Sequence, residues 1–314
     1  VGTAAVAAAG VVIALAALLG RGSGDGLVAV DSVLYQFPDN HLHGIGYDNV
    51  QGQLYIATHY GLFVMRPDPA LPRGWGLYQL GERRDDFMGF TLHPGDPQVL
   101  FTSGHPQHGG NLGVLRSRDG GRTFERVFDG PEGVPIDFHS MTISAKDPPA
   151  IYGYYYGDER IYRSRDGGES WEWFEPEGLG RRGLCWAAPC LAGDPNDADT
   201  VYAGAQAGLM VSRDGGRRWE ALAPGLGGPI AGVGVHPAVP GRMFAMKPGA
   251  GVLVSDDGGA TWQASNAGLG LAEHEPVFAF AFDATDPNRV FLATMGTRIF
   301  ESADGGRSWR QILP

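Results

Sequence analysis

The sequence predicts an all-β chain folded as a six-bladed β-propeller of four-stranded blades, and three observations carry the prediction. An S-x-D-G-G motif returns five times at a near-constant interval. Each copy closes a run of short apolar stretches separated by turn residues. Glycine is very frequent, with 50 glycines and 22 prolines in 314 residues, and it follows no collagen period. Many short strands joined by tight turns have this composition.

The five copies read SRDGGRTF from Ser117, SRDGGESW from Ser164, SRDGGRRW from Ser212, SDDGGATW from Ser255 and SADGGRSW from Ser302. Their acidic anchors Asp119, Asp166, Asp214, Asp257 and Asp304 stand 47, 48, 43 and 47 residues apart. A fixed interval of this size marks a repeated supersecondary unit. The local chemistry is that of a hairpin turn. The aspartate caps its own turn by accepting backbone N–H groups, and the paired glycines take backbone angles closed to other residues. Trp or Phe then begins the outgoing strand.

These five copies are identified as Asp-boxes, and the chain resembles the Asp-box (BNR) repeat propellers. That group includes sialidases, sortilin-type receptors, xyloglucanases and a photosystem II assembly factor. The resemblance covers nearly all of the chain after residue 37.

Each box ends a longer unit containing an apolar strand, a DP-type turn, a second strand such as VLFTSG, IYGYYY, VYAGA or VFLAT, and a third strand that runs into the box. These are strands A, B and C of a blade, and D follows the box. A degenerate unit comes first: HGIGYD, LYIATH, GLFVM and GWGLYQL, with its box decayed to RPDPALPRGW. Six units over residues 38–314 allow about 46 residues each, a usual propeller module. The stretch LVAVDSVLYQF precedes blade 1 and is expected to pair with the outer edge of blade 6.

Val1 to Gly20 is uncharged and rich in Ala, Val and Leu. As a hydrophobic helix it would span roughly 30 Å, the thickness of a bilayer core. A signal peptide and an uncleaved anchor are both open. Residues 21–37 read as linker and leading strand. Either reading of the first segment places the propeller outside the cytoplasm, membrane-anchored or secreted, and touching the membrane only through that segment. The net charge of −11 argues against nucleic acid as a partner. Cys185 and Cys190 lie five apart around Pro189, and a disulfide and two buried thiols are both open.

In propellers of this kind the Asp-boxes share a face with the A–B turns, and the opposite face, with the D–A and B–C connections, usually carries the ligand site. Aligning the strand A starts through Asp96, Asp147, Asp194 and Asp286 makes Met88, His139, Trp186 and Phe278 equivalent, and the matched Gly44 and Gly232 put His43 and Ala231 in the same slot. Two residues earlier lie His41, Asp86, Asp137, Leu184, Pro229 and Pro276. The B–C connections add His59, His105 and His108 in blades 1 and 2, then Tyr154, Tyr155, Tyr156 and Asp158 in blade 3. Six of the nine histidines thus map to one face of blades 1–3. Imidazoles with carboxylates suit a transition metal such as zinc or copper, with Met88 a soft donor for copper. His41, His43, His59, His105, His108 and His139 are the candidate metal ligands, and Tyr154, Tyr156 and Arg160 the candidate ligand-binding side chains. His93 and His236 sit in LHP and VHP turns, where a structural role suffices.

Three functions follow from the pattern. The first, preferred here, is a binding module for a metal ion, glycan or extracytoplasmic protein through this His/Asp face. The second, implied by the resemblance, is a glycoside hydrolase, with Asp86, Asp137 and Asp158 as the carboxylates, because such chemistry needs two carboxyl groups flanking the scissile bond. The sialidase pattern also carries an Arg-Ile-Pro motif and an arginine triad. No Arg-Ile-Pro occurs here, and Arg83, Arg84, Arg160 and Arg298 do not align as a triad. The third is an assembly factor for an extracytoplasmic complex.

Overall fold

The computed structural model describes residues 27–30, 41–144, 147–180, 190–271, 275 and 277–313. The apolar segment 1–20, most of the leading stretch, and Leu184, Cys185, Trp186, His274 and Pro276 lie outside the described residues. Among the described residues no helix is long and apolar enough to cross a membrane.

The chain is all-β and forms a ring of six antiparallel sheets, each built from consecutive strands. The innermost strands are Leu42–Asp48, Asp86–Leu92, Phe138–Ser144, Leu191–Gly193, Gly232–Val235 and Val277–Phe282. Each contacts the next around the axis, and the sixth returns against the first. The core lies between blades. Phe138, Met141 and Ile143 of blade 3, for example, are buried with Phe101 and Val114 of blade 2. Close approach of the inner strands demands small residues: a Cβ on Gly89 would lie 2.4 Å from the Phe138 carbonyl oxygen, and one on Gly193 2.2 Å from that of Ile143.

The five Asp-boxes share one hydrogen-bond pattern. The serine hydroxyl donates to the aspartate Oδ1 at 2.8–2.9 Å. It also accepts the N–H of the second glycine at 2.8–2.9 Å. The aspartate Oδ1 accepts the N–H four residues on at 2.8–2.9 Å. Both glycines of every box have φ between 70° and 91°, which side chains disfavour. The box turn is bonded to the A–B turn of its own blade, as in Gly215 N–H to Asp199 O at 2.8 Å and Gly305 N–H to Asn288 O at 2.9 Å. Boxes and A–B turns therefore share a face. In blade 1 Asp68 still caps the decayed turn, accepting the Ala70 N–H at 3.0 Å.

Arginines just before two boxes clamp neighbouring blades. Arg116 donates to Gly167 O at 2.9 Å and Arg163 to Gly215 O at 2.9 Å, each reaching the next blade's box. The seam between blades 6 and 1 is closed by side chains. Arg289 donates to Tyr47 OH at 2.9 Å, and Tyr47 stacks on Phe291 with ring centroids 4.9 Å apart.

The leading strand corrects an expectation. Val28–Ala29 pairs with the outer strand of blade 1, Trp75–Leu80, in the register Val28↔Gln79 and Ala29↔Tyr78. It does not pair with blade 6, whose outer edge is Arg310–Leu313. Blade 1 is thus five-stranded, and each blade is made from one continuous stretch of chain.

Candidate functional site

Strand register fixes the repeat relation at the face opposite the boxes. Leu42 pairs with Thr58, Phe87 with Gly104 and Phe138 with Tyr155, and in each blade the next register step skips one residue of strand A. The skipped residues are His43, Met88 and His139, the same slot aligned from the sequence. The same skip falls at residue 278 of blade 6. Each is a β-bulge, a device that re-aims a side chain near the end of a strand. Two further equivalences follow from the same register. His41, Asp86 and Asp137 precede the bulge, His105 ends strand B of blade 2, and His59 and Tyr156 directly follow strand B of blades 1 and 3.

These positions converge across the seams between blades. In the first group, His43 Nε2 stands 3.2 Å and His59 Nδ1 3.0 Å from the two oxygens of Asp86. His41 Nδ1 lies 3.0 Å from His59 Nε2. In the second, His105 Nε2 and His139 Nε2 both donate to Asp137 Oδ2, at 2.9 and 2.7 Å. Within each set, His43–His59–Asp86 and His105–Asp137–His139, the candidate ligand atoms lie within 4.8 Å of one another. Asp86 and His105 are themselves cross-strand partners, so the two sets share a border.

Burial and charge define their state. Burial would raise the Asp86 pKa, but the His43 and His59 imidazoles outweigh it and hold the carboxyl well below the usual range. Asp137 follows the same pattern with His105 and His139. The hydrogen bond to Asp137 pushes His105 up to about 9, against desolvation. Its Nδ1 meets the Gly110 carbonyl at 3.0 Å, so both ring nitrogens face acceptors, which favours the protonated ring. His43 is only 9% exposed, and burial lowers its pKa. Its Nε2 is within ion-pair reach of Asp86 Oδ1, yet the geometry completes no hydrogen bond. His43 Nε2, Asp86 Oδ1 and Asp137 Oδ1 are left buried without a hydrogen-bond partner. Buried polar atoms in that condition are rare and call for an explanation such as an ion.

The remaining candidates are placed differently. His108 is exposed in the loop after His105 and belongs to neither set. Met88 is half-buried in the bulge slot of blade 2. Tyr154 is buried in the core, and Tyr156 packs edge-on against it and beside His139, at 5.0 and 5.6 Å between centroids. Asp158 caps a turn, accepting the Arg160 N–H at 3.1 Å and the Tyr162 hydroxyl at 2.6 Å. Arg160 is more than a third exposed, and its guanidinium lies 3.8 Å from Asp158. His93 and His236 each accept a turn N–H through Nδ1 at 3.1 Å, the structural role their HP motifs suggest.

A cavity of 420 Å3 runs along the axis from the other end, between residues such as Gly46, Leu92, Ile143, Ala192, Val235 and Phe282. Its wall is mostly glycine and aliphatic, and neither histidine set lines it. Chemistry and cavity therefore lie at different places on the axis. The sequence pointed to one His/Asp sector. The bulges and the unpartnered atoms required the structure, whereas the Gly104 that opposes the blade 2 bulge was visible in SGHP.

The family model described as BNR/Asp-box repeat matches residues 253–264. No curated protein matches the sequence. Among solved structures the chain is similar to the GH74 enzyme of Niastella koreensis, at 18% identity over 87% of this chain and 45% of that one, with a TM-score of 0.55. The GH74 xyloglucanase of Xanthomonas campestris gives 18%, 87%, 45% and 0.53. YCF48 bound to D1 peptide gives 18% over 88% of this chain and 82% of that chain, with a TM-score of 0.50. The chain spans less than half the length of the two GH74 enzymes. At these identities the likeness is one of fold, and motif and fold together make the chain a BNR-repeat propeller.

Proposed function

We propose that this Asp-box repeat propeller is an extracytoplasmic binding module that holds a transition metal, zinc or copper, on the face of blades 1–3 and recruits a protein or glycan there. One observation carries the reading. Five imidazoles and two carboxylates from three successive blades converge at one end of the inner strands, and three of their buried atoms complete no hydrogen bond. Nitrogen and carboxylate oxygen in such sets are zinc and copper donors. The apolar first segment supports placement outside the cytoplasm, in either its cleaved or its anchoring form.

Hydrolysis fits the same residues less well. A glycosidase needs one carboxyl kept protonated as general acid. Asp86 and Asp137 are each held ionised by imidazoles, and Asp158 is engaged in its own turn. A protein partner has a parallel in the fold, since YCF48 has been seen with a D1 peptide.

Thermal unfolding of the purified chain in chelator and then in zinc or copper tests the reading. An ion that binds only the folded state at 100 times its Kd stabilises by about 2.7 kcal/mol. The melting temperature should rise with metal and fail to rise in the His43→Ala/His139→Ala double variant. The readout is the difference between metal and chelator within each chain, because truncating the buried His43 lowers the variant's own melting temperature. No metal response in the parent would remove the reading.

A further inference from the structure

We propose that the face of blades 1–3 holds two zinc ions, one in the His43–His59–Asp86 set and one in the His105–Asp137–His139 set, as paired copies of one interblade site. The inference rests on the metal-binding reading above and divides it.

The copying is visible in the register. Each set takes the histidine at or just after the end of strand B of one blade and the aspartate at or just before the start of strand A of the next: His59 with Asp86, then His105 with Asp137. One step around the ring superposes the two pairs. The third ligand comes from the bulge slot in both, from the leading blade in the first set (His43) and the following blade in the second (His139). Met88 fills that slot in the blade between them. The two sets therefore share the His/Asp pair at the seams between blades 1 and 2 and between blades 2 and 3, and differ in which blade supplies the bulge-slot histidine.

A single ion does not span both. Zinc bonds of about 2.0–2.2 Å keep ligand atoms no more than roughly 4.3 Å apart across one ion. Each set keeps its atoms within 4.8 Å of one another, whereas the six atoms fall into two such groups and not one. Asp86 and His105 are the cross-strand neighbours at the border between them. Both sets have a buried atom lacking a hydrogen-bond partner: His43 Nε2 and Asp86 Oδ1 in the first, Asp137 Oδ1 in the second. His43 and Asp137 are both more than nine-tenths buried. Two histidines and one carboxylate leave at least one position open on each ion, the arrangement of a zinc centre that accepts an outside ligand.

Zinc uptake by the whole chain, measured by equilibrium dialysis and elemental analysis, tests the division. His59 and His105 are the half-exposed members of the two sets, so His59→Ala and His105→Ala open little core. The parent should take two zinc ions per chain, each single variant one, and the double variant none. Cobalt titration of the unmutated chain is a second readout, with visible absorption rising to a break at two equivalents. One ion in the parent, lost in both single variants, or a cobalt break at one equivalent, would overturn the division while leaving the metal site standing. No uptake of either metal would overturn both.

Discussion

A Cβ placed on Gly104 would lie 1.9 Å from the carbonyl oxygen of Asp86. Gly104 has φ +147° and sits opposite the bulge at Met88. The glycine therefore lets strand A of blade 2 bulge and deliver Asp86 toward His43 and His59. Gly104→Ala should lower stability by about 1–3 kcal/mol, the usual cost of forcing atoms into a packed site, and reduce zinc uptake. Gly109→Ala is the comparison, since it also has positive φ but nothing within 4 Å of its Cβ position. Urea unfolding of both variants checks this, and equal shifts in midpoint would contradict the steric account.

The Asp-box serine is as structural as its aspartate. Ser255 Oγ accepts the buried Gly259 N–H at 2.9 Å while donating to Asp257 Oδ1 at 2.8 Å. Ser255→Ala leaves that N–H without an acceptor, at a cost of about 1–3 kcal/mol. Calorimetry should show a lower melting temperature with no change in metal response. An unchanged melting temperature would show that water or the backbone replaces the hydroxyl.

His236 supplies a pH dependence remote from the metal sets. Its ring is buried against Phe282, its Nδ1 accepts the Ala238 N–H, and Arg242, Asp283 and Asp286 are the charged groups near it. Burial, with Arg242, pushes its pKa down to about 4. The unfolded chain, with an ordinary value near 6.5, therefore takes up the proton first as pH falls. The stabilisation from the neutral ring is complete above pH ~6.5 and is lost progressively toward pH ~4, by roughly 3 kcal/mol at most. His236→Asn should flatten the fall in melting temperature across that window. A parallel fall in parent and variant would assign it to other groups.

The blades were legible because the Asp-box is a local device. Serine, aspartate and two glycines satisfy one turn among themselves, so five copies stand out wherever they occur. Blade 1 was found through its strands, and Asp68 explains how a decayed box still turns the chain. The leading strand was assigned to the wrong blade because an apolar alternating stretch encodes a pairing edge and not which edge. The alignment of Met88 and His139 came from turn spacing and that of His43 from the matched Gly44, and the structure gives it a cause in the bulge. What the sequence could not show was the split of the histidines into two sets. That depends on Asp86 and Asp137 each lying at a seam, a relation between blades. His108, three residues after His105, illustrates the same limit: proximity in sequence placed it in the sector, and the loop carries it into solvent.

An anomalous-difference map from crystals of the zinc-loaded chain, recorded above and below the zinc edge, shows whether metal sits among these histidines. Edge-dependent peaks are expected at the seams between blades 1 and 2 and between blades 2 and 3, beside Asp86 and Asp137. A zinc-loaded crystal with no such peak at either seam would contradict metal binding and return these side chains to the role of a hydrogen-bonded brace between blades.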